Sequence, residues 1–439
     1  MSMPTIEPWL LIPFGTMLLT IAIAPLLFAR IWEKNSTKLI FTALISIPTA
    51  IILFRYDLKE QLFEQLFNDY LPFIILLGTM FIVTGGIRIR YNAIGTPTIN
   101  AVIMIVGYIL ASFIGTTGAA MLLIRPLIEI NRERSHKAHT ILFFIALVAN
   151  CGGILSPLGD PPLFMLYLRG ASFGWFQGLY PEWATTGAIL ILIYYIYDRY
   201  IFHHKEFIGV RRIKDDEEID EHLAFSVGGA VNILLLAAIV MCVALVNESH
   251  IPAMGKPDAS PLLRNAREII LIVIALASLI FTSRRLRREN HFSWQPIAEV
   301  AILFIGIFTT MTPALLFLNA NAAALGISEP WQFYYASGAF SSILDNAPTA
   351  IAFHTVAKAL PMASDATIVA GIPQTILTAI SLGAVFFGSM TYIGNGPNFM
   401  VKSIAESEGI AMPSFFGYIF KFSLIILLPT YIVVQLLFL

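Results

Sequence analysis

The feature that most constrains this chain is an interrupted sequence that occurs once in each half, both times inside an apolar stretch of membrane length. Ser156-Pro157-Leu158-Gly159-Asp160-Pro161-Pro162-Leu163-Phe164-Met165 aligns with Thr391-Tyr392-Ile393-Gly394-Asn395-Gly396-Pro397-Asn398-Phe399-Met400 at an offset of 235 residues, with Gly, Pro, Phe and Met in common. In lipid every backbone N–H and C=O must be satisfied within the protein. Gly, Pro and an acid at mid-depth are therefore tolerated only where the broken segment faces a cavity or an ion. Two broken helices at corresponding places in two halves point to a site at the breaks.

Composition agrees. A chain of 439 residues that is 57% hydrophobic and 13% charged carries more apolar surface than a soluble protein could bury, and its apolar runs are long enough to cross a bilayer. The expected fold is an all-α polytopic membrane protein with the lipid bilayer as its main partner. A net charge of −1 gives no reason to expect a nucleic-acid partner. Cys151 and Cys242 both lie in apolar runs and read as packing thiols. No metal-ligand spacing, nucleophile elbow or phosphate loop lies in a soluble segment, so neither an enzyme nor a bound cofactor is expected. The first apolar run, after Glu7-Pro8, lacks a basic flank and reads as a retained span.

Ten spans are expected, near 9–29, 39–54, 70–86, 138–168, 184–201, 225–246, 268–282, 294–312, 375–404 and 413–438. Two further apolar stretches, about 100–130 and 331–360, are interrupted by Gly115-Thr116-Thr117-Gly118 and Asp345-Asn346-Ala347-Pro348 and read as re-entrant hairpins. The chain then divides into a first repeat (1–202), a charged cytoplasmic joint (203–224) and a second repeat (225–439). Each repeat has five spans and one hairpin, and an odd number inverts the second copy in the membrane. Lys and Arg favour cytoplasmic loops, and their distribution places both termini outside, with Ser135 and Ser283 on the cytoplasmic side and Ser249 and Ser364 on the exterior.

Asp160 is the sharpest candidate for chemistry, because a carboxylate beside Gly159 and Pro161-Pro162 meets carbonyls freed by the break, and a cation is the natural guest. Its structural alternative is a helix cap. Asp345 and Asn346 sit at the second hairpin's tip under the same two readings. Each acid exists in one half only: Gly115 takes the place of Asp345, and Asn395 that of Asp160. Around them the neutral oxygen donors are Asn150, Ser156, Thr116, Thr117, Thr349, Thr391, Asn395 and Asn398. Two carboxylates sharing a pocket of low dielectric do not readily both stay ionised, so the pair is expected to exchange a proton for transported Na⁺. Arg125 reads as a snorkelling residue that could also pair with an acid, Glu299 as interfacial, and His354 with Lys358 as a polar helix face.

The strings Gly115-Thr116-Thr117-Gly118-Ala119, Leu158-Gly159-Asp160-Pro161-Pro162, Leu344-Asp345-Asn346-Ala347-Pro348-Thr349 and Tyr392-Ile393-Gly394-Asn395-Gly396-Pro397-Asn398 together resemble the ion transporter superfamily. Within it the chain is similar to NhaD-type sodium/proton antiporters and to the related citrate-transporter-like (CitMHS-like) permeases. The resemblance implies a scaffold part and a moving transport part of elevator type, a homodimer, a bacterial inner-membrane location, and binding residues at Thr116, Thr117, Asp160, Asp345, Asn346, Asn395 and Asn398. Dicarboxylate-transporting members carry Ser-Asn-Thr at both hairpin tips, and neither tip here has it.

The first expectation is therefore a secondary transporter exchanging Na⁺ or Li⁺ for protons. The alternative is Na⁺- or H⁺-coupled symport of citrate or another carboxylate, which would need a cation or Arg125 at an otherwise acidic site. A channel fits two closed, re-entrant tips less well than alternating access does.

Overall fold

The computed structural model describes residues 7–439 other than 33, 92, 203, 205–224, 257, 291 and 362–365. The charged joint at 203–224 lies, His204 apart, outside the described residues, and so does Ser364. Among the described residues six helices are long and apolar enough to cross a membrane: Asn35–Arg55, Lys59–Thr84, Pro97–Ile114, Ala138–Leu155, Gln295–Leu325 and Phe415–Phe438. Shorter apolar helices include Pro8–Ala24, Ala230–Leu245 and Gln374–Met390. Leu234, Ile280 and Leu436 on the outer faces are 73%, 74% and 73% exposed, a surface that suits acyl chains and not water. The chain is a polytopic membrane protein.

Helices stand wherever a span was expected, with three differences. The third begins at Lys59, because a π-helical segment, Gln65–Tyr70, carries the backbone through Asn68 and Asp69 without a break. The helix from Gln295 runs on to Asn321 through Pro313, which withholds a single backbone donor and does not end it. The chain is also not purely helical: Arg88–Tyr91 pairs antiparallel with Phe225–Gly228, Arg88 opposite Gly228, and Ile368–Val369 pairs with Ile372–Pro373. The first pair forms where Gly86 and the left-handed Gly229 end or precede helices, so the freed backbone groups bond across the gap.

The helices form two groups. In one, Ile12–Leu27 and Asn35–Arg55 pack along Gln295–Asn321, while Leu71–Thr84 packs on Ala266–Phe281 and Ala230–Leu245. Glu299 belongs here, bonded to the buried Lys38 at 2.6 Å. The other group gathers both helical hairpins and both broken helices around Tyr180–Ile201 and the C-terminal helix. The groups meet where Gln295–Asn321 lies against Asn346–Ala359, and where Leu71–Thr84 lies against Thr116–Ile130.

The first hairpin consists of Pro97–Ile114 and Thr116–Ile130, turned at Gly115, whose φ of 79° suits a residue without a Cβ. Its leading arm is long enough to cross a membrane by itself. Reciprocal amide bonds between Asn100 and Asn131, 2.9 and 2.8 Å, staple the open end. Close by, the buried Asp198 accepts from Arg134 at 2.5 and 3.0 Å and Tyr194 at 2.9 Å, and meets His139 Nε2 at 2.8 Å. Arg134, next to Ser135 at the expected cytoplasmic face, is therefore buried against its acid and is not a solvated loop charge. The second hairpin is Pro330–Ile343 and Asn346–Ala359, joined by Leu344-Asp345.

The two broken helices are built alike. Ala138–Leu147 gives way to a 3₁₀ turn, Cys151–Leu155, before Pro161–Leu168; Gln374–Phe387 gives way to Gly388–Met390 before Gly396–Ser407. Ser156 Oγ donates to the Ser112 carbonyl and accepts from Leu158 N at 3.1 Å. Thr391 Oγ1 donates to the Ser342 carbonyl at 2.5 Å and accepts from Ile393 N at 3.2 Å. Backbone packs on backbone in both: a Cβ at Gly159 would lie 1.8 Å from the Gly153 oxygen, and one at Gly394 2.5 Å from the Gly388 oxygen.

Gly159→Ala should therefore destabilise the protein by at least about 1–3 kcal/mol, the usual cost of overpacking. Gly396→Ala, with nothing within 4 Å of the added carbon, should leave the detergent-solubilised protein's melting temperature unchanged. Equal melting of the two variants would show that the first break relaxes freely.

Candidate functional site

Asp160 occupies the N-cap position of Pro161–Leu168, yet its side chain makes no cap hydrogen bond. The reason is local: Pro161 and Pro162 have no N–H, and the N–H of Leu163, the next donor of the first turn, bonds to the Asp160 backbone carbonyl at 3.0 Å. The carboxylate instead turns to three other elements. Thr116 Oγ1, at the start of the first hairpin's returning arm, donates to Oδ1 at 2.6 Å. Asn395 Nδ2, from the second break, donates to the same oxygen at 3.0 Å. Asn346 Nδ2, at the second hairpin's tip, donates to Oδ2 at 2.5 Å. Thr116 is aimed by its own backbone, whose N–H donates to the Gly159 carbonyl at 2.7 Å.

Asp160, Thr116, Asn346 and Asn395 are all buried. No Lys, Arg or His among the described residues forms an ion pair with Asp160; its donors are neutral. The Asn346 Oδ1 atom is buried without a donor. An ionised carboxylate offers about four lone-pair sites, and with three donors engaged the cluster keeps acceptor capacity. Oxygens of this kind suit a hard cation. No cluster of three or more His, Cys, Asp or Glu that could hold a resident metal occurs among the described residues.

Asn150 and Asn398 stitch the breaks together. Asn150 Nδ2 donates to the Ile145 carbonyl at 2.8 Å and to Asn398 Oδ1 at 2.7 Å, while its Oδ1 accepts from Asn395 at 3.2 Å. Asn398 Nδ2 donates to the Gly388 and Thr391 carbonyls at 2.8 and 2.9 Å. These amides satisfy carbonyls that the interrupted helices leave free, which the membrane requires.

The remaining candidates serve the framework in this conformation. Asp345 Oδ1 accepts from Ala347 N at 3.1 Å, the helix cap weighed above, and Thr349 Oγ1 donates to the Asp345 carbonyl at 3.0 Å. Asp345 and Asp160 are neighbours through Asn346 and share no hydrogen bond. Ser156 holds the first break, and Thr117 is half-buried beside Thr116 without a bond to the cluster. Arg125 stays at the surface, 3.6 Å from Glu408, with side chains 40% and 50% exposed. His354 does not line a polar face with the exposed Lys358; it is buried, with Nε2 2.8 Å from the Ala370 carbonyl. The sequence reading passed over Asp69 and Asp198, both buried with partners, because each sits at the polar end of a span, where an acid reads as interfacial.

Replacing Asp160 with Asn would turn an amide N–H toward at least one of the three donors. Asp160→Asn should cost roughly 1–3 kcal/mol of stability, the scale of one buried unpaired polar group. Arg125→Gln removes a solvated pair and should cost under about 1 kcal/mol. Thermal denaturation of both variants in detergent measures the difference, and an equal response would show that the donors around Asp160 relax without loss.

Comparison with known proteins follows the same lines. The chain is 25% identical over 375 residues to uncharacterized transporters from Mycobacterium bovis and Mycobacterium tuberculosis, covering 76% of this chain and 78% of each relative. A family described as "putative citrate transport" matches residues 3–439. A match over nearly the whole length places the chain in that transporter family.

Proposed function

We propose that the protein is a secondary active antiporter that exchanges Na⁺ (or Li⁺) for protons at Asp160, with Asn346, Thr116 and Asn395 as its immediate partners and Asp345, Thr117, Asn150, Asn398, Ser156 and Thr349 completing the surrounding polar shell. The observation that carries this reading is a fully buried carboxylate held only by neutral donors. Such a group has no internal counter-charge, so its burial is eased by a bound proton or a bound metal cation, and the two compete. The halves act as inverted repeats about the shared site, and the group containing the hairpins and breaks moves against the other as an elevator within a homodimer. The membrane is a bacterial inner membrane with both termini outside.

The family's description favours a second reading, coupled symport of citrate or another carboxylate. A polycarboxylate needs positive charge at the site. Arg125, the cation expected nearest to it, is engaged with Glu408 at the surface, and neither hairpin tip has the Ser-Asn-Thr of dicarboxylate carriers. Antiport is the reading that needs no further group.

Proteoliposomes with an internal pH dye separate the two. External Na⁺ should drive protons out and raise internal pH, Asp160→Asn should abolish the signal, and citrate should leave it unaffected. Citrate-dependent acidification with no response to Na⁺ alone would establish the symport reading instead. If one proton leaves for each Na⁺ at the same carboxylate, apparent Na⁺ affinity should weaken about tenfold for each unit that pH falls within the competitive range. An affinity flat with pH would assign the two ions to different groups.

Topology is tested by single cysteines in a background lacking Cys151 and Cys242. Positions Ser135 and Ser283 should react with an impermeant maleimide only from the cytoplasm, and Ser249 and Ser328 only from outside. Ser135 lies beyond the open end of the first hairpin and Ser328 before that of the second, so labelling from one face would end the inverted-repeat reading.

A further inference from the structure

Apart from the site, a largely buried ion pair joins the two helix groups among the described residues, and it does so at the far end of the same rod that carries Asp160. Pro161–Leu168 begins at Asp160 and ends at its C-cap, Arg169. At about 1.5 Å per residue the two ends are roughly 13 Å apart and move as a unit. Arg169 Nη2 donates to Asp69 Oδ2 at 2.6 Å, with side chains 28% and 10% exposed. Asp69 lies in the π-helical segment Gln65–Tyr70 of the other group, where Gln65 Nε2 donates to the same oxygen at 2.7 Å. π-Helical turns inside α-helices recur at functional positions, because the extra residue costs backbone geometry that packing alone does not repay.

Two weaker contacts hold the same half-helix to the same group. Arg267 lies 5.7 Å from the Phe164 ring centre and 5.4 Å from that of Tyr167. Tyr167 also donates to the Val243 carbonyl at 2.8 Å. Among the described residues the half-helix that follows the second break shows no such ion pair to the other group: Gly396–Ser407 packs on Thr116–Ile130 and Ala138–Leu147, both of its own group. One end of the moving group is therefore fastened to its neighbour by charge, and the corresponding end is not.

We propose that Asp69 and Arg169 form a latch of the transport cycle, closed in this conformation, which must part before the Asp160 rod can shift against the third span. The inference rests on the alternating-access part of the reading above and is independent of which ion is carried. Arg169 keeps 28% of its side chain exposed, one residue past the end of the half-helix at Leu168, so the pair parts at the rim of the span and not in its apolar middle. Gln65 keeps a hydrogen bond on Asp69 when Arg169 leaves, which lowers the penalty for the acid left behind. Asp69 and Arg169 are positioning residues: neither touches the ion.

The test uses the full-length protein in proteoliposomes, free of Cys151 and Cys242 and spin-labelled at cysteines replacing the exposed Phe63 and Gly174, one on each side of the latch. Pulsed electron resonance then reads the distance distribution between the two groups. Asp69→Asn and Arg169→Gln should each raise the ratio of parted to closed molecules by about tenfold or more, the scale expected when a largely buried pair loses one charge. The exchanged pair, Asp69→Arg with Arg169→Asp, should restore the closed population. An unchanged distribution in both single variants overturns the latch, as does an exchanged pair that behaves like the singles. If one single variant fails to fold, the other and the exchanged pair still decide. Na⁺-driven proton flux measured on the same vesicles keeps the two proposals apart. Parting without any such flux in the parent protein would sink antiport and leave the latch standing, whereas flux with an unmoved distance would sink the latch alone.

Discussion

The hydrogen bonds that converge on Asp160 organise the centre of this molecule, and its carboxylate is free to make them because the first turn keeps no open N–H: Pro161 and Pro162 have none, and Leu163 N bonds to the Asp160 carbonyl. An Asp at a helix start ordinarily folds back onto the free N–H groups of the first turn. With Pro161 and Pro162 in that turn, the oxygens reach outward to Thr116, Asn346 and Asn395, one from each of the other three interrupted elements. Both hairpins and both breaks therefore meet at one side chain. The Gly153–Gly159 contact brings the backbone close enough for this, and the Thr116 N–H bond to the Gly159 carbonyl fixes the hairpin tip against it.

A break inside a membrane has to account for every carbonyl it frees, and the two breaks share one framework for doing so. Ser156 and Thr391 bind the neighbouring hairpin's backbone in the same way, and Gly153–Gly159 and Gly388–Gly394 make the same close approach. Chemistry enters where the copies differ. Asp160 faces Asn395 across the junction, charged acceptor to neutral donor, so one half supplies the negative charge and the other the group that steadies it. Asn150 and Asn398 complete the junction by bonding to each other and to carbonyls of their own breaks.

Much of this was legible in the sequence because membrane spans announce themselves by length and apolarity, and breaks by Gly, Pro and polar residues within them. Thr116, Asn346 and Asn395 were found that way. What stayed hidden depends on side-chain direction. Asp345 lies beside Asn346 in sequence, but its carboxylate caps its own helix at Ala347 and leaves the cradle to Asn346. His354 and Lys358 are four apart on one helix, and packing against Ala370 still separates them into buried and exposed. Asp69 was missed for a different reason. A π-helical turn shifts the helical register, so an acid that periodicity assigns to the end of a span is turned into the protein. The pairing of Arg88–Tyr91 with Phe225–Gly228 joins segments far apart in the chain, and no local pattern encodes such a contact.

Three buried aspartates show how environment sorts one residue type into separate tasks. Asp198 meets Arg134, His139 and Tyr194, and a bidentate guanidinium leaves it neither free charge nor room for a guest. Asp69 has a single, partly exposed guanidinium and the amide of Gln65 on the same oxygen, so the proposed parting would leave it a hydrogen bond. Asp160 has donors but, among the described residues, no cation, so in the proposed cycle the charge that neutralises it comes from outside the protein and can leave again. Burying a carboxylate without a fixed counter-charge is expensive in a membrane interior. Had Asp160 been given an arginine, as Asp198 has, that cost would vanish, and with it the physical basis of the proposed exchange of one cation for another.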